Sequence, residues 1–149
     1  MKNDQYWMEH ALVLAKKAEQ YGEVPVGAVI VRDDKLLGEG WNQPISQHDC
    51  TAHAEIQALR VACAQVENYR LPGATLYVTL EPCIMCAGAI VHARIARVVY
   101  ATKEPKTGAV GSCFDIFNTQ QLNHYVHCEH GLLAEQSTQL LQDFFKSRR

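Results

Sequence analysis

The chain has 149 residues, 48 % of them hydrophobic, which is the length of one ordinary domain; folding would bury about 68–70 % of the surface exposed by the unfolded form. Lys and Arg number 14 against 16 Asp and Glu, and the formal net charge of −2 argues against a protein drawn to polyanions by bulk charge alone. No run of about 18 apolar residues is present, and the opening MKNDQYWMEH lacks the apolar stretch of a secretory signal. A soluble, cytoplasmic protein of one domain (residues 1–149) with no membrane span is therefore expected, and Cys50, Cys63, Cys113 and Cys128 read as free packing thiols rather than disulfide partners.

In chain order, Trp7, Ala11, Leu14, Ala15 and Ala18 form an apolar stripe at helical spacing, which predicts a helix over 4–20. The β-branched run 24–31 and residues 35–41 predict two strands, with Asp33-Asp34 as the hairpin turn between them. Thr51 is placed to N-cap a helix over 52–64 that is rich in good helix formers. Next come a strand at 74–80, a helix entered through Pro82 at its first position, and a strand at 96–101. Strand, helix, strand in that order implies a parallel crossover. Leu133, Leu140, Leu141, Phe144 and Phe145 supply the apolar side of a last helix. The expected fold is α/β: a three-layer α/β/α domain whose mixed sheet begins as an antiparallel hairpin and continues with parallel strands.

The chemistry is concentrated in His53-Ala54-Glu55 and Pro82-Cys83-Ile84-Met85-Cys86. Imidazole and two thiolates suit zinc, and three protein ligands with an open fourth position is the pattern of a catalytic rather than a structural site. A lone C-x-x-C is equally a redox pair or half of a structural zinc site; the H-x-E upstream favours the hydrolytic reading. Glu55 is then the spare carboxylate that carries a proton between water and leaving group. With both halves of the motif at helix starts, the thiols are favoured as thiolates, and His53 and Glu55, two apart, diverge around the site. The ligands would meet if the two motif helices follow neighbouring strands and pack on one face of the sheet. A narrow pocket is expected there, at the strand ends, roofed by segments around Val26, Asn42 and 103–112. Asn42 could read a base edge through its amide, or serve only as a turn residue after a strand.

His53-Ala54-Glu55 with Pro82-Cys83-x-x-Cys86 is the signature of zinc nucleobase deaminases. Together with 23–28 (EVPVGA), 38–42 (GEGWN), 51–55 (TAHAE), 69–71 (YRL), 74–83 (ATLYVTLEPC), 106–109 (KTGA) and 143–145 (DFF), it makes nearly the whole chain resemble the bacterial tRNA-specific adenosine deaminase family. That resemblance implies a cytidine deaminase-like five-stranded sheet and one Zn²⁺ per chain, held by His53, Cys83 and Cys86. It further implies Glu55 as proton shuttle, and Asn42, Ala54 and Val26 as substrate-binding positions. The implied reaction is hydrolysis of the wobble adenosine (position 34) of a tRNA anticodon stem-loop to inosine with loss of ammonia, by a homodimer. Water attacks C6 while Glu55 protonates N1 and then the amine.

Lys103, Lys106, Lys146, Arg148 and Arg149 are the candidate RNA contacts, although cations at a helix C-terminus are also stabilised by its dipole. Residues 102–105 and 124–130 depart from the family pattern. The second of these holds His124, His127, Cys128 and His130, which read either as a second metal site or as an exposed strand or loop. Ile84, Met85, Ile90 and Val91 could face a partner chain or the monomer core. Two other functions share the motif: a free-base or nucleoside deaminase acting on guanine, cytosine or cytidine, and a non-catalytic zinc-stabilised RNA-binding module, which would not need Glu55.

Overall fold

Asn3 opens the first helix by accepting the Tyr6 N–H at 2.9 Å, and the predicted stripe then runs as α1, Asp4–Gln20, with Trp7, Ala11, Leu14, Ala15 and Ala18 buried. The computed structural model describes residues 1–148. Strand β1 is Gly27–Arg32, three residues shorter at its start than predicted, because Pro25 has no N–H to offer and the Val26 N–H turns back onto Val24 O at 2.9 Å. Asp33 and Asp34 both have positive φ (53° and 62°), as a two-residue hairpin turn with the right twist requires, and β2 follows at Lys35–Trp41.

The remaining elements are a short helix α2 (Pro44–Gln47), α3 (Ala54–Val66), β3 (Thr75–Leu80), α4 (Ile84–His92), β4 (Arg97–Thr102), a 3₁₀ turn at Ile116–Asn118, β5 (His127–His130) and α5 (Ala134–Ser147). The sheet order is β2-β1-β3-β4-β5. Strand β1 is antiparallel to both neighbours, whereas β3, β4 and β5 run parallel. The result is the expected five-stranded mixed sheet. Alternation along β1 divides the core: Ala28 and Ile30 join the cluster under α3 and α4, while Val29 and Val31 join Trp7, Met8, Ala11 and Leu14 of α1. Helix α5 lies on the α1 side, where Leu133 just before it packs on the same cluster.

Two expectations need correction. Helices α3 and α4 do not follow neighbouring strands, because β1 lies between β2 and β3. Their starts still share one sheet edge, since two strands that are each antiparallel to β1 run in the same direction. The helix starts are also displaced: α3 begins at Ala54 with His53 as N-cap, and α4 at Ile84 with Cys83 as N-cap. Thr51 caps nothing, because its N–H and hydroxyl both donate to Asp49 Oδ1, at 2.9 and 2.7 Å. Gly40 lets α3 lie directly on β2: a Cβ there would stand 2.5 Å from Ala54 O and 2.6 Å from Ala58 N.

Candidate metal centre and nucleotide pocket

N-cap positions usually carry a short polar side chain that folds back on its own helix. His53 and Cys83 occupy the two caps here, make no such bond, and face each other instead. His53 Nδ1 lies 3.6 Å from Cys83 Sγ and 3.6 Å from Cys86 Sγ, one turn further along α4. All three ligand atoms fall within 4.8 Å of one another. Tetrahedral zinc, with Zn–S about 2.3 Å and Zn–N about 2.0–2.1 Å, separates S and N by about 3.6 Å, so the group fits one zinc ion. Among the described residues no other His, Cys, Asp or Glu cluster of this kind is found. His124 bonds Ile95 O at 2.8 Å and His130 stacks on Tyr100, so β5 is the exposed strand of the two readings offered for 124–130.

The electrostatics of the group fit a cation. The neighbouring Cys86 side chain and the contact with His53 bring the Cys83 thiol down to about 4 against the effect of burial. Cys86 is correspondingly held as a thiol, first by Cys83 and then by burial, and His53 is raised by its bond to Cys83. One thiolate is thus stabilised by the protein, and a divalent ion would ionise the second. Glu55 is 4 % exposed, and burial pushes its carboxyl up to about 7.

A cavity of about 250 Å³ opens over this group, walled by Val26, Asn42, His53, Glu55, Cys83 and Thr107. Asn42 Oδ1 accepts the Ala54 N–H at 2.8 Å, so the cap of α3 comes from the end of β2 rather than from a local residue. That bond consumes the carbonyl of Asn42 and leaves its amide NH₂ as the donor available to the pocket. Ala54 is fully buried behind the wall. Val26 and Thr107, from two of the expected roof segments, line the cavity.

A larger groove of about 710 Å³ adjoins the pocket, since Val24 and Leu80 line both. Lys103 and Lys146 line it with Pro105 and Phe145. Lys106 is exposed but outside it, and the Arg148 guanidinium stacks 4.2 Å from the Phe144 ring centroid. Arg149 lies outside the described residues. Sequence reasoning gave no role to Glu23 or Glu81, both almost fully buried. Glu23 accepts from the Ile45 N–H, the Ser46 N–H and the Ser46 hydroxyl, tying down α2; Glu81 lines the pocket. The available signal was an acid placed directly before Pro82-Cys83.

A His/Cys/Cys metal group at paired helix starts, with a buried carboxylate beside it, defines a zinc-dependent deaminase site. The family described as the cytidine and deoxycytidylate deaminase zinc-binding region matches residues 1–102. A tRNA-specific adenosine deaminase of Haemophilus influenzae is 54 % identical over 147 residues, covering 98 % of this chain and 85 % of the relative. A solved structure from work on A-to-I editing by tRNA:A34 deaminases at the wobble position superposes with a TM-score of 0.89 at 45 % identity, covering 91 % of this chain and 99 % of that one. A guanine deaminase from Nitrosomonas europaea, at 22 % identity and TM-score 0.80 over 97 % of this chain and 85 % of its own, shares the fold. The chain belongs to the zinc-binding cytidine and deoxycytidylate deaminase family, within its group of tRNA-specific adenosine deaminases.

Proposed function

We propose that this protein is a zinc-dependent hydrolase that converts the wobble adenosine (position 34) of a tRNA anticodon loop to inosine and ammonia. The observation that carries the chemistry is the buried Glu55 carboxylate beside the His53, Cys83 and Cys86 ligand group, in a pocket sized for a single everted nucleotide. Zinc held there would lower the pKa of a water in its open position to about 7 and supply a nucleophile at neutral pH. Glu55 accepts the proton of the attacking water and delivers it to purine N1, then takes the proton of the new C6 hydroxyl and passes it to the departing amine, so that the 6-oxo base and ammonia leave. The Asn42 amide donates to the nucleotide, and Val26 and Thr107 exclude water around it.

Lys103 and Lys146, with Glu104 between them, leave the adjoining groove a net positive charge to hold the flanking RNA backbone, and Phe145 offers a ring face for stacking. A single-stranded anticodon loop suits such a site because eversion there costs less than from a duplex. Residues 1–149 act as one deaminase domain, since both core clusters share one sheet. The protein acts as a homodimer in the cytoplasm, where its tRNA substrate is. Support for the dimer comes from a cavity of about 530 Å³ between α3 and α4, lined by Leu59, Cys63 and Ala89 with Arg60, Arg70 and Arg94 around them, and from Ile84, exposed at the start of α4. Ile90 and Val91, in contrast, are spent on the monomer core. No helix among the described residues is long and apolar enough to cross a membrane.

The test is to incubate the purified protein with an anticodon stem-loop, the same stem-loop with guanine at the wobble position, and free nucleosides and bases. Inosine and ammonia are expected from the first substrate alone. Turnover of free bases or nucleosides only would replace this reading with the small-substrate one. Zinc binding without any turnover would leave an RNA-binding module, and sedimentation decides the dimer.

A further inference from the structure

Glu81 directly follows β3, and its N–H donates to Thr102 O at the end of β4. Its side chain lies under the loop that follows β4. Oε1 accepts the Glu104 N–H at 3.1 Å and the Ser112 hydroxyl; Oε2 accepts the Val110 and Ser112 N–H groups, both at 3.1 Å. Four donors from residues 104–112 therefore converge on one carboxylate that is 3 % exposed. Gly108 closes over the same group: a Cβ at that position would stand 2.4 Å from Glu81 Cδ and 2.5 Å from each of its oxygens. Its φ is not in the left-handed region, so space rather than backbone conformation calls for glycine.

The pinned loop is also the partition between the two cavities. Thr107 faces the pocket over the metal group, while Lys103, Glu104 and Pro105 line the groove. Glu81 makes no bond to His53, Cys83 or Cys86; its acceptor capacity is spent on the loop. We propose that Glu81 is a positioning residue that pins residues 104–112 as a roof between pocket and groove, setting affinity for the RNA while taking no part in holding the metal. The kinetic half of this proposal rests on the tRNA reading above, whereas the pinning itself does not.

Two substitutions in the zinc-loaded full chain test it. Glu81→Gln replaces one acceptor oxygen by a donor, so two loop donors lose their partner and face an NH₂ group. Gly108→Ala keeps the carboxylate but forces the loop off it. Both variants are expected to retain one zinc per chain and to speed amide exchange at Glu104, Val110 and Ser112 by about tenfold or more. Both should raise KM for an anticodon stem-loop by about tenfold, with kcat at saturation within about threefold of wild type. A role in general stability alone would lower zinc content and active fraction together and leave KM unmoved. That result overturns the proposal, as does wild-type exchange at the three amides. Should the wild type fail to turn over the stem-loop, the tRNA reading falls, and the exchange comparison still decides whether Glu81 pins the loop.

Discussion

Glu55 and Glu81 wall the same pocket, are 4 % and 3 % exposed, and differ in almost everything that sets a carboxylate's behaviour. Around Glu55 only its own backbone N–H and the Cys86 thiol offer hydrogen bonds, and burial outweighs them and lifts the group to about 7. Burial would lift Glu81 too, but the bonds donated by Ser112, Glu104 and Val110 outweigh it and hold the group below the usual carboxylate range. One buried acid is therefore poised to exchange a proton near neutrality, and the other is a fixed anion that organises a loop. Solvent exposure alone does not separate a proton carrier from an anchor: Glu55 lies deeper than Glu81 and meets fewer donors.

The largest test of this contrast is Glu55→Gln, which should lower kcat on an anticodon stem-loop by about 10²- to 10⁴-fold while metal analysis still finds one zinc per chain. Near wild-type turnover would remove Glu55 from the proton-carrying role, and a second zinc would reopen the His124 to His130 segment.

Stability sharpens the same contrast. In the metal-free chain the folded-state value of Glu55 is raised, so its carboxyl costs nothing below the unfolded value near 4.5 and costs progressively more as pH rises through about 7. Metal-free Glu55→Gln should accordingly be more stable than metal-free wild type by about 3 kcal/mol near pH 8, shrinking below about 1 kcal/mol near pH 5, as read by urea unfolding. Equal stability at both pH values would show that Glu55 is not under strain. Glu81 has the opposite sign: its contribution is present above the unfolded value and is lost as pH falls through the lowered folded one, so exchange at Val110 and Ser112 should quicken only in acid.

Glu23 extends the comparison as a second anchor. Glu23→Gln should cost about 1–3 kcal/mol of unfolding free energy, because one oxygen becomes an NH₂ group and one or two of the three donors of Ile45 and Ser46 lose their acceptor. No measurable loss would mean that α2 is held by its other contacts. The smallest effect is expected from Asn42→Asp, which keeps an oxygen for the Ala54 N–H but removes the amide donor. KM should rise by about tenfold with the α3 cap intact, and an unchanged KM would free Asn42 from substrate contact.

The metal group was legible because its ligands are residue types that zinc selects, at a spacing that allows two helix starts. Most strands and helices were legible from their periodicity, and the Asp33-Asp34 turn from its residues. The N-cap of α3 was misread because Thr51 has the right chemistry but is captured by Asp49, two residues away, while the true acceptor arrives from Asn42, just after β2. Placing α3 and α4 after adjacent strands failed because order within a sheet is decided by long-range pairing, here by β1 entering between β2 and β3. Of the candidate cations among the described residues, only Lys103 and Lys146 share the groove, and Arg148 stacks on Phe144 of its own helix.

By itself the amino-acid sequence determined the ligand types, the spare carboxylate at Glu55 and the α/β alternation, all of which are local in the chain. Tertiary structure alone decided that His53 and Cys83 serve as facing caps, and that Glu81 meets four donors while Glu55 meets almost none. These are matters of which distant backbone groups arrive at a buried oxygen. Residue type and spacing carry no record of that encounter, so two glutamates of equally low exposure became an acid and an anchor only when the chain closed around them.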